Sequence, residues 1–267
     1  MINSKIKILD CTLRDGSYQN NFQFTKNDNL KITKILSDAG IEYIEVGHGL
    51  GLGAYRNKKY SSFENDMTYI KSSIIGKNKK LGVFFIPEFG KILDIKKAIS
   101  NGVNFIRVGT EVNDFKNTRK YLDIIKSYNA FSCLNAMKTY NSDVKEITSV
   151  INKIEKWKNI DVVYVVDSAG CMTPEDVVNY VTAIKENSDL KIGFHGHNNM
   201  GLANANSIAA INSGASYIDS SVKGLGRSAG NAQTEILCYL LKKNGIECNI
   251  NFFELMDLGE KYLKNIV

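Results

Sequence analysis

The chain has 267 residues, 43% of them hydrophobic and 23% charged, an ordinary globular composition at a length that one α/β barrel of about 250 residues fills. The formal net charge of +6 comes from lysines spread along helical stretches such as KNKK (77–80) and EKWKN (155–159), without the clustered arginines and interleaved aromatics of a nucleic-acid surface. Cys11, Cys133, Cys171, Cys238 and Cys248 show no CxxC spacing, MINSKIKILD has no apolar leader core, and no apolar run reaches about 18 residues, so a disulfide framework, a secretory signal and a membrane span are not expected and a cytoplasmic protein is.

A first strand is expected at 5–11 (KIKILDC), running into TLRDG, and a helix at 25–39 that ends in DAG. Strands follow at 41–47 (IEYIEVG), 80–86 (KLGVFFI) and, after SNG, 104–109 (NFIRVG). The pattern continues with a helix at 113–128, a strand at 130–136 (AFSCLNA), a helix at 142–158 and a strand at 162–167 (VVYVVD). The helix at 173–187 opens on TPEDV, with Thr173 as N-cap, Pro174 at the first helical position and acids in the first turn. A strand at 191–195 (KIGFH), a helix at 200–213 ending in NSG, and a strand at 216–221 (SYIDSS) complete eight units; a last helix at 252–265 is expected to pack across one end. The strands are nearly continuous apolar runs, the mark of a parallel sheet covered on both faces. AGIEYIEVG, NGVNFIRVG and SGASYIDSS repeat a helix end, a glycine and a strand beginning near an aromatic–Ile pair. Eight such alternations specify a single-domain (β/α)8 TIM barrel over 1–267 with a short C-terminal helix, in preference to a doubly wound sheet.

Two of the three histidines, His195 and His197, stand one residue apart at the end of the seventh expected strand. Residues i and i+2 of a strand point to one side, and barrel enzymes keep their chemistry at that C-terminal mouth. The pair is either incidental or holds a divalent metal. LDCTLRDG (9–16) ends the first strand at the same mouth, with only strand eight between, so Asp15 can add a carboxylate. Two imidazoles and a carboxylate suit Mn, Mg, Fe, Co or Zn and leave room for a chelating substrate. Glu45, on strand two, is expected inside the barrel as a hydrogen-bond or ion-pair partner. Asp167, ending strand six, either anchors the site from behind or caps the following helix with Ser168. The loop GLGRSAGN (224–231) offers glycines, Gly226 among them, for close backbone approach. Arg56, Lys58 and Lys59, after strand two, form either a solvated loop or a contact for a phosphorylated or acidic substrate.

TLRDG together with HGHNNMGLANANSIAAINSGASYIDSSVKGLGRSAGNAQTE (195–235) resembles the DRE-TIM metallolyase superfamily of (β/α)8 barrels, which includes HMG-CoA lyase, the isopropylmalate and homocitrate synthases and 4-hydroxy-2-oxovalerate aldolase. IEVGHGLGLG (44–53), DSAG (167–170), HNN (197–199) and AGNA (229–232) look most like the hydroxy-oxovalerate aldolases. The resemblance implies a metal, Mn or Mg first and Zn or Co next, held by Asp15, His195 and His197 with Asn231 as fourth ligand or support. It implies that the metal chelates a 2-oxo acid, that Arg14 stabilises the enolate, and that Ser168, Gly226 and Arg227 meet the substrate. The implied reaction is a pyruvate-type aldol or retro-aldol of a 4-hydroxy-2-oxo acid, with an aldehyde as the other partner.

The chain departs from those aldolases at Tyr18, where they carry a catalytic histidine, and proton transfer then falls to Tyr18 or to His48. It also departs after the barrel, where they carry a helical region that contacts a dehydrogenase and supplies a tyrosine; a channelling dehydrogenase partner is therefore disfavoured, while a homo-oligomer stays open. The lyases of hydroxymethylglutaryl-CoA use a cysteine in the loop that here holds Arg227, and RDGSYQ lacks the Glu-Gln that follows RDG in the synthases. An acyl-CoA-dependent Claisen-type enzyme and a non-catalytic 2-oxo-acid-binding barrel remain the alternatives, with the metal hydrolases last.

Overall fold

Eight parallel strands pair in chain order and the eighth closes on the first: β1 (Lys7–Asp10), β2 (Tyr43–Val46), β3 (Lys80–Phe85), β4 (Phe105–Glu111), β5 (Phe131–Met137), β6 (Val162–Asp167), β7 (Lys191–Gly196) and β8 (Tyr217–Ser220). This computed structural model describes residues 6–74 and 79–267; the first five residues, including Lys5 of the expected first strand, and Lys77 and Asn78 of the KNKK stretch lie outside the described residues. Around the barrel run α1 (Lys26–Asp38), α2 (Asp66–Ser72), α3 (Ile92–Ser100), α4 (Arg119–Ser127), α5 (Val144–Ile154), α6 (Pro174–Asn187), α7 (Ala203–Ser213) and α8 (Thr234–Lys243), and α9 (Phe252–Lys261) packs on α8 and α1. The closed ring rules out the doubly wound sheet. All five cysteines are free thiols, and among the described residues no helix is long and apolar enough to cross a membrane.

The helix starts are set by side chains that accept the first free N–H groups. Thr25 with Asp28, Asp143 with Glu146 and Thr173 with Asp176 form reciprocal capping boxes, the last with Pro174 in the first turn. Four helices are shorter than their apolar spacing suggests, α4 and α7 chiefly at their starts and α5 and α9 chiefly at their ends. Residues 112–118 form 3-10 turns ahead of α4, where Asn113, Asp114 and Asn117 are weak helix formers and the Thr118 hydroxyl donates to the Phe115 carbonyl. α7 begins at Ala203, whose N–H donates to Asn198 Oδ1, because Gly201 turns the chain at φ +72° just before it.

The core has two parts. One lies between strands and helices; the other fills the barrel from inside, with Leu9, Cys11, Tyr43, Phe105, Cys133, Val162, Tyr164, Val166 and Tyr217. At the N-terminal end the Tyr43 ring meets those of Phe105 and Tyr217, at centroid separations of 5.8 and 5.6 Å. Two residues further along the same strands, on the same inward face, stand Glu45, Arg107 and Asp219, all buried. The three strand repeats therefore place their aromatics in one interior layer and their charges in the next, toward the mouth.

Candidate metal centre

Asp15 leaves β1 through a turn held from below: Asp10 accepts from the Thr12 N–H and hydroxyl, each at 2.9 Å, and the Asp15 N–H donates to the Cys11 carbonyl at 2.8 Å. His195 sits within β7 and His197 just beyond it. One ligand atom from each of Asp15, His195 and His197 lies within 4.8 Å of the others, and all three residues are buried.

The hydrogen bonds decide which ring nitrogens face the centre. His195 Nδ1 lies 2.8 Å from Asp219 Oδ2 and His197 Nδ1 lies 3.2 Å from the Gly230 carbonyl. A carboxylate and a carbonyl only accept, so both Nδ1 atoms carry a proton and each Nε2 is the nitrogen left to offer a lone pair to the centre. Burial lowers the His197 pKa to about 4, against the pull of Asp15, so the ring is neutral at pH 7, as a ligand must be. Burial alone would raise the Asp15 carboxyl; Arg14, His197, His195 and the Asn231 amide outweigh it and hold the group well below the usual carboxylate range. Asn231 donates Nδ2 to Asp15 Oδ2 at 2.8 Å, while its carbonyl oxygen Oδ1 is buried without a partner among the described residues. Two free imidazole lone pairs, an ionised carboxylate and an orphaned amide oxygen are the donor set of a divalent cation, and the residues present fit one.

Behind this group runs a continuous ion network. Arg14 Nη1 donates to Asp15 Oδ1 at 2.6 Å and its Nε to Glu45 Oε2 at 2.7 Å. Arg107 Nε donates to Glu45 Oε1 at 2.8 Å, its Nη2 to Glu45 Oε2, and its Nη1 to Asp219 Oδ2, which also accepts from the His195 Nδ1–H. Burial would raise the Glu45 carboxyl, but Arg107 and Arg14 hold it down at about 2. Glu45 is thus the ion-pair partner its sequence position suggests. Sequence motifs alone do not mark Arg107 and Asp219 for chemistry, although each interrupts an apolar strand with a charge at the same place in the repeat.

The remaining residues fall in several places. Gly226 lies against the centre: a Cβ there would meet Asn231 Nδ2 at 2.2 Å and Asp15 Oδ2 at 2.6 Å, and its carbonyl accepts from Gln19 Nε2 at 2.6 Å. Arg227 spans the mouth, its N–H 3.3 Å from Asp15 Oδ2 and its Nη2 2.9 Å from the Ser168 carbonyl. The Ser168 hydroxyl accepts from the Lys138 N–H, and Asp167 accepts from the Cys171 and Met172 N–H groups, so Asp167 anchors the β6–α6 turn while Thr173 caps the helix. Tyr18 packs edge-on against Phe22, and burial pushes its hydroxyl up to about 12. His48 stacks on Phe22; its Nδ1 accepts from the Leu50 N–H at 3.0 Å and its Nε2–H donates to the Tyr60 carbonyl at 2.7 Å, so both nitrogens are committed to the β2–α2 loop. Arg56 forms a two-pronged pair with Asp94 at 2.9 and 2.6 Å, while Lys58 and Lys59 are exposed.

The fold and site together define a (β/α)8 barrel that gathers a carboxylate from the turn after β1 and two imidazoles from the end of β7 at its C-terminal mouth. Residues 5–261 match the HMGL-like family model, and the chain belongs to the HMGL-like family. It is 37% identical over 258 residues to the 4-hydroxy-2-oxovalerate aldolase of Carboxydothermus hydrogenoformans, covering 96% of this chain and 76% of that protein. The 4-hydroxy-2-oxovalerate aldolase of Bacillus cereus is 35% identical over 257 residues, covering 96% and 75%. The HMG-CoA lyase of Bacillus subtilis superposes with a TM-score of 0.80 at 20% identity over 98% of this chain and 94% of that one, a likeness of fold.

Proposed function

We propose that this protein is a divalent-metal-dependent aldolase, a carbon–carbon lyase that makes or cleaves a 4-hydroxy-2-oxo acid through a pyruvate-type enolate. The observation that carries the reading is the convergence of Asp15, His195 and His197 with both imidazoles turned Nε2-inward, in a chain related over nearly its whole length to 4-hydroxy-2-oxovalerate aldolases. A divalent metal held by these three residues and Asn231, with Mn or Mg favoured and Zn or Co next, supplies Lewis-acid polarisation of the ketone and carboxylate oxygens of the 2-oxo acid. Arg14, fixed between Asp15 and Glu45, keeps the rest of its guanidinium for the developing oxyanion, without reorganising as charge appears. Tyr18 keeps its proton up to about pH 12 and acts as a donor toward the 4-oxygen, not as a base. His48 fixes the β2–α2 loop, and Ser168, Gly226 and Arg227 close the mouth over the substrate. The substrates are a 2-oxo acid and an aldehyde, and five free thiols suit a cytoplasmic setting.

The test is deuterium exchange at C3 of pyruvate, followed by proton NMR with added Mn or Mg. Metal-dependent exchange that a chelator stops and Asp15→Asn abolishes supports the enolate. No exchange with any divalent metal sinks it and turns attention to the acyl-CoA chemistry of the wider family.

A further inference from the structure

The barrel interior holds a buried polar side chain that neither the metal group nor the ion network uses. Asn135 lies on β5, two residues beyond Cys133 and on the same inward face; it is 3% exposed, and its carbonyl oxygen Oδ1 has no hydrogen-bond partner among the described residues. Leaving an amide acceptor buried and unpaired is costly, so such an atom in a native site calls for a donor from outside the protein. In the closed strand order β5 stands opposite β1, which places Asn135 on the wall across from Arg14 and Asp15. The surroundings are closely packed. Its register neighbour on β4 is Gly109, where a Cβ would come within 2.5 Å of the Phe84 ring and 3.2 Å of Met137 Sδ. Tyr164, its register neighbour on β6, likewise keeps a buried hydroxyl without a partner.

We infer that Asn135 reads the aldehyde half of the substrate, and that this half carries a hydroxyl of its own: a short 2-hydroxyaldehyde in place of an alkyl aldehyde. The inference rests on the aldolase reading above. In that reading C3 of the 2-oxo acid loses a proton, attacks the aldehyde carbon, and the aldehyde oxygen takes up a proton as the 4-hydroxyl, with no net oxidation. The 2-oxo acid lies at β1 and β7, so the aldehyde's remaining carbons extend toward β4 and β5. There Oδ1 of Asn135 needs a hydrogen-bond donor. An alkyl chain has none. A hydroxyl at C2 of the aldehyde supplies one, and a site with an unpaired acceptor discriminates against the analogue that lacks the donor.

Glycolaldehyde and propanal are nearly isosteric and separate the two cases. The experiment first measures C3 exchange of pyruvate by the wild-type protein, then kcat/KM for each aldehyde with wild type, Asn135→Leu and Asn135→Ala, with folding of both variants checked by the fluorescence of Trp157. The wild type is expected to favour glycolaldehyde by about ten- to a hundredfold, and both variants to lose most of that ratio. A wild type without the preference overturns the inference. So does an equal fall for both aldehydes, which would assign Asn135 to the 4-hydroxyl common to every product or to packing. If only the alanine variant folds, its ratio decides. Absence of exchange in the wild type overturns the enolate reading, and this inference with it.

Discussion

Replacing Arg107 with methionine tests whether the interior charges form one network. The Arg107 side chain is fully buried and satisfies both oxygens of Glu45 and one of Asp219. Methionine is shorter but flexible and apolar, and the Phe84 and Tyr164 rings, whose centroids lie 5.7 and 5.0 Å from the guanidinium carbon, offer it apolar contact, so the cavity term stays smaller than for alanine. What remains is two buried carboxylates short of a partner, and removing one side of a buried ion pair costs about 3–5 kcal/mol. Set against a total stability of about 5–15 kcal/mol, the loss should be plain in urea unfolding followed through Trp157, the single tryptophan, as a lower midpoint at unchanged slope. Arg107→Met combined with Glu45→Gln should cost less than the sum of the two single changes by about 1–3 kcal/mol. The pH dependence has a definite sign. Without Arg107 the Glu45 carboxyl rises above its present value of about 2, so the folded variant binds a proton that the wild type does not, and its deficit should shrink as pH falls below neutrality. A loss under about 1 kcal/mol at pH 7, or a deficit that grows on acidification, would refute the argument that these groups are ionised and mutually paired.

Asp219→Asn should weaken Mn binding about 10–100-fold in a metal titration, since the Nδ1–H of His195 loses its carboxylate acceptor. Gly226→Ala should disable metal binding more than folding, because its methyl group collides with Asn231 and Asp15 themselves; equal metal affinity at equal stability would show that the loop simply moves. Burial, with Asp94 adding to it, raises the Asp66 carboxyl to about 7 despite the Gly53 N–H, so the folded chain holds a proton that the unfolded chain releases near pH 3.9. Wild-type stability should therefore decline from about pH 4 to 7 on this account, and Asp66→Asn should flatten the decline; an unchanged profile in pH-dependent thermal melts would remove Asp66 as its source.

The barrel was legible because the evidence for it is local. Apolar runs, glycines past helix ends and the Thr173–Pro174 start all act within a few residues, and eight strands appear where the spacing places them. The candidate metal group could be read for the same reason: His195 and His197 share one strand end, and Asp15 follows another. Glu45 was expected inside because it stands alone in an apolar strand. Arg107 and Asp219 carry the same signal, but their meaning lies in partners 62 and 112 residues apart in sequence, which only strand register brings together. His48 shows the converse. Its ring nitrogens suggest proton chemistry, yet their occupants are the Leu50 N–H and a carbonyl 12 residues on, and a loop's backbone path has no periodic trace in the sequence. Asn135, in AFSCLNA, reads as one polar residue in a strand until its unpaired oxygen is seen.

The layer of alternating charges also acts on how the barrel closes. Strands apolar on both faces carry little information about which face is which: in FIRVG of β4, Ile106 and Val108 would fill the interior as readily as they pack against helices. A slip of one residue would swap them for Arg107, driving an unpartnered guanidinium into the helix layer and abandoning Glu45 and Asp219 inside. The same penalty falls on β2 and β8 if either shifts alone. Hydrophobicity draws the strands together, and the charges choose the one alignment in which they close.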